Sequence, residues 1–383
     1  MKSIVLNAGS SSIKFQVFED EDSLISGICE EIGSERSKIK WKFHGNKEEI
    51  EIKLENHREA LVKVLEILRE KNLLENLSKV IHRVLHGGEK FMKTEVVSPE
   101  MIVELKKLIS LGPLHMPANI GGIELMTELL PNVPQIAVFD TAFHSSIPQE
   151  AYLYAVPYSW YKEHGIRKYG FHGSSHQFVT KEAVEVLNKE GSKIITCHLG
   201  NGASLCASVS GKCVDTTMGL TPMDGSVMGT RCGTIDPGVL LHMLNVIGVD
   251  KKELDTMLNK KSGMLGLSEM TSDMRILEEE MEKNPNAKRA IDVYCYRLVQ
   301  LIGSFVGVLG GVDAIVFTGG VGENSPVVRK IVLDKFKFLG LELDEEKNNT
   351  RGQIEISKEN SNVKVLVIPT NEELQMVRNS KLI

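Results

Sequence analysis

The chain has 383 residues, 42% of them apolar and 25% charged, the balance of a soluble globular protein that is too long for one compact core and fits two domains. A net charge of −6 excludes a general nucleic-acid or membrane-surface binder, whose affinity comes from basic patches. Six cysteines (Cys29, Cys197, Cys206, Cys213, Cys232 and Cys295) form no C-x-x-C pair and no framework spacing, the usage of reduced thiols in a cytoplasmic protein.

The chain opens on IVLNAGSSSIKFQVF, a strand, a Gly/Ser turn and a second strand, with no apolar stretch of signal-peptide length before it. Ser10, Ser12 and Lys14 fall at period two, so a strand starting after Gly9 would carry two hydroxyls and an ammonium on one face. Short alternating segments continue to about residue 54. Leu61, Val64, Leu65 and Leu68 recur at helical spacing. The strand KVIHRVLHGG, two helical stretches and the apolar strand QIAVF, ending at Asp140, come next. From about residue 150 the alternation resumes with IITCHLGNGASLCASV, again strand, glycine turn, strand. Asp236-Pro237 has the chemistry of a helix start, a capping carboxylate followed by proline at the first helical position. Leu298 to Phe317 is apolar enough to imitate a membrane span, but Gln300, Asp313 and several glycines mark a helix followed by a buried strand. AIVFTGGVGEN and VKVLVIPTNEEL each read as strand, turn and helix start. Such alternation implies α/β layers. The likeness of the two strand–turn–strand segments suggests two related halves.

Three glycine turns stand at the ends of apolar strands, where open α/β sheets bind ligands. Around Gly9, small residues let the backbone approach an anion and Lys14 supplies charge. HLGNG, His198 to Gly202, is the second. Gly319 to Ser325, GGVGENS, is the third, leading into a helix whose first N–H groups can meet an anion. It lacks the third glycine of a dinucleotide fingerprint, and no Walker A loop is present. Arg83 in HRVLHGGEK and Arg231 in MGTRCGTIDPG lie beside glycines, where a guanidinium fork can hold carboxylate or phosphate oxygens. His172/His176 and His82/His86 are each four apart, yet without H-E-x-x-H or a third ligand the pattern favours an anion contact over zinc. Ser174 is the expected helix cap, which leaves His172 in a loop.

Taken together, LNAGSSSIKF, HRVLHGGE, FDTAFH, YGFHGSSH, HLGNGAS, GTRCGTIDPG, SDMR, GGVGENS and PTNEEL resemble the acetate kinase family, in the acetokinase branch of the sugar kinase, Hsp70 and actin superfamily. The nine blocks are collinear and span nearly the whole chain. The resemblance implies an α/β fold of two actin-like (ribonuclease H-like) domains around a nucleotide cleft. The first would cover residues 1–145 and regain a C-terminal helix at 374–383, and the second would cover 146–373. It also implies a homodimer, and with the charge and cysteine usage above the expectation is a cytoplasmic protein that binds neither nucleic acid nor membrane. The implied reaction is reversible, Mg²⁺-dependent, in-line transfer of the ATP γ-phosphoryl group to acetate, giving acetyl phosphate and ADP; Mn²⁺ can replace Mg²⁺.

Residue by residue, the resemblance places Mg²⁺ at Asn7 and Glu372 and an ATP-phosphate contact at Lys14. It assigns the nucleotide to His198, Leu199, Gly200, Asn201 and Gly202, to Asp273, Met274 and Arg275, and to Gly320, Val321, Gly322, Glu323 and Asn324. Arg83 matches the carboxylate contact, Asp140 the catalytic acid, and His172 with Arg231 the pair that stabilises the transition state. A carboxylate substrate is ionised at neutral pH and needs no base. Asp140 is therefore expected to position Mg²⁺ or orient Arg231. Thr234 and Met116 depart from the family, which usually carries Asp and Asn there. The alternatives are a propionate or butyrate kinase with the same mechanism, a non-enzymatic nucleotide switch on the same fold, and a nicotinamide-dependent dehydrogenase, which the missing fingerprint opposes.

Overall fold

A computed structural model describes all 383 residues and divides the chain into two compact units, Met1–Phe143 with Asn371–Ile383, and His144–Thr370. The first unit holds strands β1 (Lys2–Ala8), β2 (Ile13–Glu19), β3 (Asp22–Glu30), β4 (Lys38–Phe43), β5 (Asn46–Glu51), β6 (Leu77–Val84), β7 (Glu95–Val96) and β8 (Gln135–Phe139). They form one sheet in the order β5-β4-β3-β2-β1-β6-β8-β7. The second unit holds β9 (Lys193–Leu199), β10 (Ala203–Val209), β11 (Lys212–Thr216), β12 (Ala314–Thr318) and β13 (Lys364–Val367), in the order β11-β10-β9-β12-β13.

The run β3-β2-β1-β6-β8 and the second sheet share one plan. In each, three consecutive strands pair antiparallel, then the first of them pairs parallel to a later strand, which in turn pairs parallel to a second. The likeness of the two sequence segments thus extends to whole sheets, and the fold is the expected α/β pair of actin-like units. The central parallel strands β8 and β12 are buried along their whole length, which explains their unbroken apolar runs. In β1, Ile4 and Leu6 face the helix His57–Glu70, where Leu61, Val64, Leu65 and Leu68 are all buried. Val5 points the other way, into a core with Ile81, Ile136 and Met376 and Val377 of the closing helix Glu372–Ser380. The helix Pro285–Leu309 is long and apolar enough to cross a membrane, but Ala290, Ile291, Leu298, Ile302 and Phe305 are buried within the second unit, where it packs on β9, β10 and three helices.

Two local expectations are corrected. Ser10 and Ser12 are not on a strand face: the ladder closes at Ala8–Ile13, the Gly9 N–H bonds the Ser12 carbonyl at 2.8 Å, and both serines stand in the turn. Ser174 is not a cap either. The helix Gly173–Leu187 follows His172 directly, and His172 itself takes a left-handed conformation with φ 56°. Asp236, by contrast, caps the helix Pro237–His242 by accepting the Gly238 N–H at 2.8 Å.

His82 on β6 is buried, with Nε2 2.7 Å from Gln135 Oε1. Burial, partly opposed by this bond, lowers its pKa to about 4. The folded chain keeps the ring neutral while the unfolded chain protonates near pH 6.5, so this stabilisation is complete above that pH and is lost as the pH falls toward 4. Urea unfolding at pH 5 should therefore show about 2 kcal/mol less stability than at pH 7 from this residue, and His82→Gln should remove that part of the slope. Equal pH slopes for wild type and His82→Gln would contradict this assignment.

Candidate active site

In the first unit, three parallel strands end side by side. Asn7 and Arg83 are the next-to-last residues of β1 and β6, and Asp140 follows β8. The closing helix packs on the same three strands and begins at Glu372, with Asn371 capping it through the Leu374 N–H at 3.0 Å. Arg83 donates from Nε to Asp140 Oδ1 at 2.9 Å and from Nη2 to Oδ2 at 2.7 Å, and Nη2 is 3.8 Å from Glu372 Oε2. Asp140 is 1% exposed at its side chain, so this is a buried, two-pronged pair. Burial alone would lower the Arg83 pKa, but the charges of Asp140 and Glu372 raise it, which keeps the guanidinium charged. Within this unit Asp140 is paired with Arg83, a contact the sequence did not indicate. Lys14 stands opposite Asn7 in the β1–β2 ladder, exposed and on the same face.

The second unit gathers another group. His198 and Leu199 end β9, and the turn Gly200–Gly202 leads into β10. A Cβ on Gly202 would meet the His172 ring at 3.4 Å and Arg231 Nη1 at 3.6 Å, so these two side chains flank the same glycine. The His172 and His198 rings stack at 4.3 Å. The loop carrying Arg231 is seated on Asn201: Gly229 donates to its carbonyl at 2.9 Å, and a side chain at Gly229 would fall 2.0 Å from Asn201 Oδ1. Arg231 Nη1 donates to the Pro222 carbonyl at 3.1 Å and contacts Met228 Sδ at 3.7 Å. No carboxylate pairs with it, and burial lowers its pKa. Half-buried positive charge without a counter-ion is costly unless an anion arrives. Thr234, one of the two family departures, bonds Asp224 Oδ1 at 2.7 Å within the same loop, whereas Met116 is a core residue of the first unit.

The third turn follows β12. Gly319 takes φ +79° directly against the Leu199 carbonyl, where a Cβ would sit 2.8 Å from oxygen. Sequence left the first N–H of the helix Gly319–Asn324 open to an anion, but in the fold a side chain of the same turn occupies the Gly319 N–H. The Glu323 carboxylate accepts it at 2.9 Å and reaches the Thr370 N–H at 3.4 Å. Gly320 is exposed, Val321 half-buried, and Asn324 Nδ2 bonds the Gly320 carbonyl at 2.9 Å. Asp273 caps the helix Met274–Glu280 and holds Arg275, whose Nη2 lies 2.6 Å from Oδ2; Met274 is buried beneath them.

Several supporting residues carried no signal in the sequence. His172 Nδ1 is 2.9 Å from Ser204 Oγ, which is 2.7 Å from His176 Nε2, while His176 Nδ1 is 2.7 Å from Thr196 Oγ1. This buried chain anchors the His172 ring, and burial holds His176 far below the usual histidine range, so it stays neutral. His176 and His82 thus bond hydroxyl and amide partners within the fold. Arg329 is buried and donates to the carbonyls of Gly322 and Glu323 at 2.8 and 3.0 Å, fixing the third turn from below.

The comparisons with known proteins agree along the full length. The family model described as "Acetokinase family" matches residues 2–378. An acetate kinase of Clostridium botulinum is 48% identical over 392 residues, covering 100% of this chain and 99% of that one. An acetate kinase of Methanosarcina mazei is 47% identical over 393 residues, covering 100% and 96%. Among solved structures, an acetate kinase of Porphyromonas gingivalis superposes with a TM-score of 0.94 at 39% identity, covering 100% and 99%. A propionate kinase of Francisella tularensis reaches 0.94 at 38% identity, covering 99% and 98%. The chain belongs to the acetokinase family.

Proposed function

We propose that this protein is a kinase that moves the γ-phosphoryl group of ATP to acetate, reversibly and in one in-line step. The observation that carries this reading is Arg231, a half-buried guanidinium paired to no carboxylate and standing with His172 over the HLGNG turn. Such a charge suits the equatorial oxygens of a phosphoryl group in flight. An acetate oxygen forms a bond to the γ-phosphorus as the bond to the β–γ bridging oxygen breaks, and ADP leaves with that electron pair. No proton moves, because the acid enters as carboxylate. Asp140 uses the Nε–Nη2 edge of Arg83, which leaves Nη1 to receive the substrate carboxylate.

The oxygens of Asn7, Asp140 and Glu372 fit a hard divalent cation, and two carboxylates sharing one guanidinium leave a surplus negative charge that such an ion offsets. Asn7 and Glu372 would hold Mg²⁺, or Mn²⁺, which when bound neutralises β- and γ-phosphate oxygens. Lys14, the HLGNG turn, Asp273 to Arg275 and Gly320 to Asn324 would receive the nucleotide. The same family reading makes the protein a cytoplasmic homodimer, which light scattering on the purified chain tests.

Propionate is the second reading, supported by the equal TM-score of a propionate kinase. One methylene discriminates by only about 1–3 kcal/mol. Comparing kcat/KM for acetate, propionate and butyrate should place acetate first, by roughly tenfold or more over propionate. A higher kcat/KM for a longer acid would keep the chemistry and overturn the substrate.

A further inference from the structure

Away from these residues, the second unit contains a compact set of soft ligand atoms that the phosphoryl chemistry does not use. His144 Nδ1 is 3.2 Å from Cys213 Sγ, Cys213 Sγ is 3.4 Å from Cys206 Sγ, and the three ligand atoms all lie within 4.8 Å of one another. All three residues are buried, at 1% exposure or less. They come from distant stretches: Cys206 from β10, Cys213 from the adjoining β11, and His144 from the turn Ala142–Ser146. We propose that His144, Cys206 and Cys213 form a binding site for a thiophilic divalent cation, zinc in the first place, separate from the hard cation of phosphoryl transfer.

The histidine is held as a metal-ligating histidine is held. Its Nε2 lies 2.8 Å from the Phe171 carbonyl, which can only accept, so the proton sits on Nε2 and the Nδ1 lone pair faces the sulfurs. Gly170 packs directly on the ring, where a Cβ would fall 2.7 Å from ring atoms, so the imidazole cannot swing away. Both sulfurs are thiols in hydrogen bonds: Cys206 donates to Cys213, whose one S–H has two acceptors in reach, His144 Nδ1 at 3.2 Å and the Asp215 carbonyl at 3.5 Å. A tetrahedral zinc ion spaces two sulfurs by about 3.8 Å and sulfur from nitrogen by about 3.6 Å, given bonds near 2.3 and 2.05 Å. Two of the three spacings therefore need to open by about 0.4 Å, the third lies within 4.8 Å, and the Asp215 carbonyl stands 3.5 Å from Cys213 Sγ.

Charge selects the ion. All three ligand residues are buried, so an uncompensated pair of thiolates is disfavoured there. A divalent cation that displaces both thiol protons leaves a centre of zero net charge, which a dry interior tolerates. Uptake is then Zn²⁺ plus two thiols going to a zinc dithiolate and two protons. A soft ion suits sulfur and imidazole, and Mg²⁺ does not. The bound ion would tie β10, β11 and the Ala142–Ser146 turn to the Phe171 carbonyl, one residue before the left-handed His172.

The test uses the full chain stripped with a chelator and titrated with zinc, then separately with Co²⁺ as an optical probe. One equivalent of zinc should remain per chain after gel filtration, with two protons released per ion and a thiolate-to-cobalt charge-transfer band in the near ultraviolet. Cys213→Ser should weaken zinc binding by at least about tenfold and remove the band, while Cys29→Ser in the other unit changes neither. Should Cys213→Ser fail to fold, the wild-type cobalt spectrum decides alone. Absence of the thiolate band, zinc retention equal to that of Cys213→Ser, or a Cys206–Cys213 disulfide seen as a loss of two hydrogens in the mass would each overturn the proposal.

Discussion

Arg231→Ala should lower kcat by on the order of 10³-fold while leaving the KM values for ATP and acetate within a few-fold of wild type. The reasoning rests on charge. Arg231 stands half-buried without a carboxylate, held only by the Pro222 carbonyl and a methionine sulfur, and burial already works against its charge. Those contacts orient the guanidinium without neutralising it, so its charge is available to a phosphoryl group whose equatorial oxygens gain negative character during transfer. In the proposed reading, ground-state binding is spread over the glycine turns and Lys14, which the substitution does not touch. Steady-state kinetics separates the outcomes: a KM rising in parallel with an unchanged kcat would make Arg231 a binding residue. Because Arg231 is not ion-paired, its removal leaves no orphaned carboxylate, and the variant should fold with near-wild-type stability.

The second large effect concerns Arg83 and Asp140. Each of Asp140→Asn and Arg83→Ala should cost roughly 10²-fold in kcat/KM for acetate, with most of the Arg83→Ala loss in the acetate KM. Because the two side chains are one hydrogen-bonded unit, the double variant should be little worse than the poorer single one, a coupling of about 2–3 kcal/mol. Multiplication of the two effects to about 10⁴-fold would show that they act separately. Metal dependence adds a second axis. If Asp140→Asn raises the Mg²⁺ concentration for half-maximal rate and Arg83→Ala does not, the carboxylate acts on the ion as well as on the arginine. Arg83→Ala strands a carboxylate that is 1% exposed, so thermal unfolding should show a loss of roughly 3 kcal/mol, less for Asp140→Asn, which can keep one hydrogen bond.

Local signals located the elements where the chemistry of a few neighbouring residues decides them. Leu61, Val64, Leu65 and Leu68 mark one helix face by spacing alone, Asp236-Pro237 marks a helix start, and the unbroken apolar runs of β8 and β12 report strands buried on both sides. The glycine turns were legible because only small residues permit the approaches found at Gly229 and Gly319. Conformation at His172 was not, since nothing in GFHGSSH separates a serine cap from a left-handed histidine. Pairings across the sheets were hidden for a different reason. Arg83 and Asp140 are 57 residues apart and meet because β6 and β8 lie parallel and in register. Glu323 resembled a helix residue open to a ligand until its carboxylate was found on the Gly319 N–H. Arg329 and the chain from His172 to Thr196 have no sequence signature, because their partners are backbone carbonyls and hydroxyls brought close by folding. Cys206 and Cys213 showed no metal spacing for the same reason: their third partner, His144, enters from more than sixty residues away.

The most direct test of phosphoryl transfer to acetate is a stoichiometric one. Purified protein is incubated with Mg-ATP, acetate and hydroxylamine, and ADP and acetyl hydroxamate are measured together. Transfer to the carboxylate predicts one hydroxamate per ADP and no ADP when acetate is withheld. ADP formed without hydroxamate, at a rate indifferent to acetate, would contradict it and leave a nucleotide-hydrolysing switch in its place.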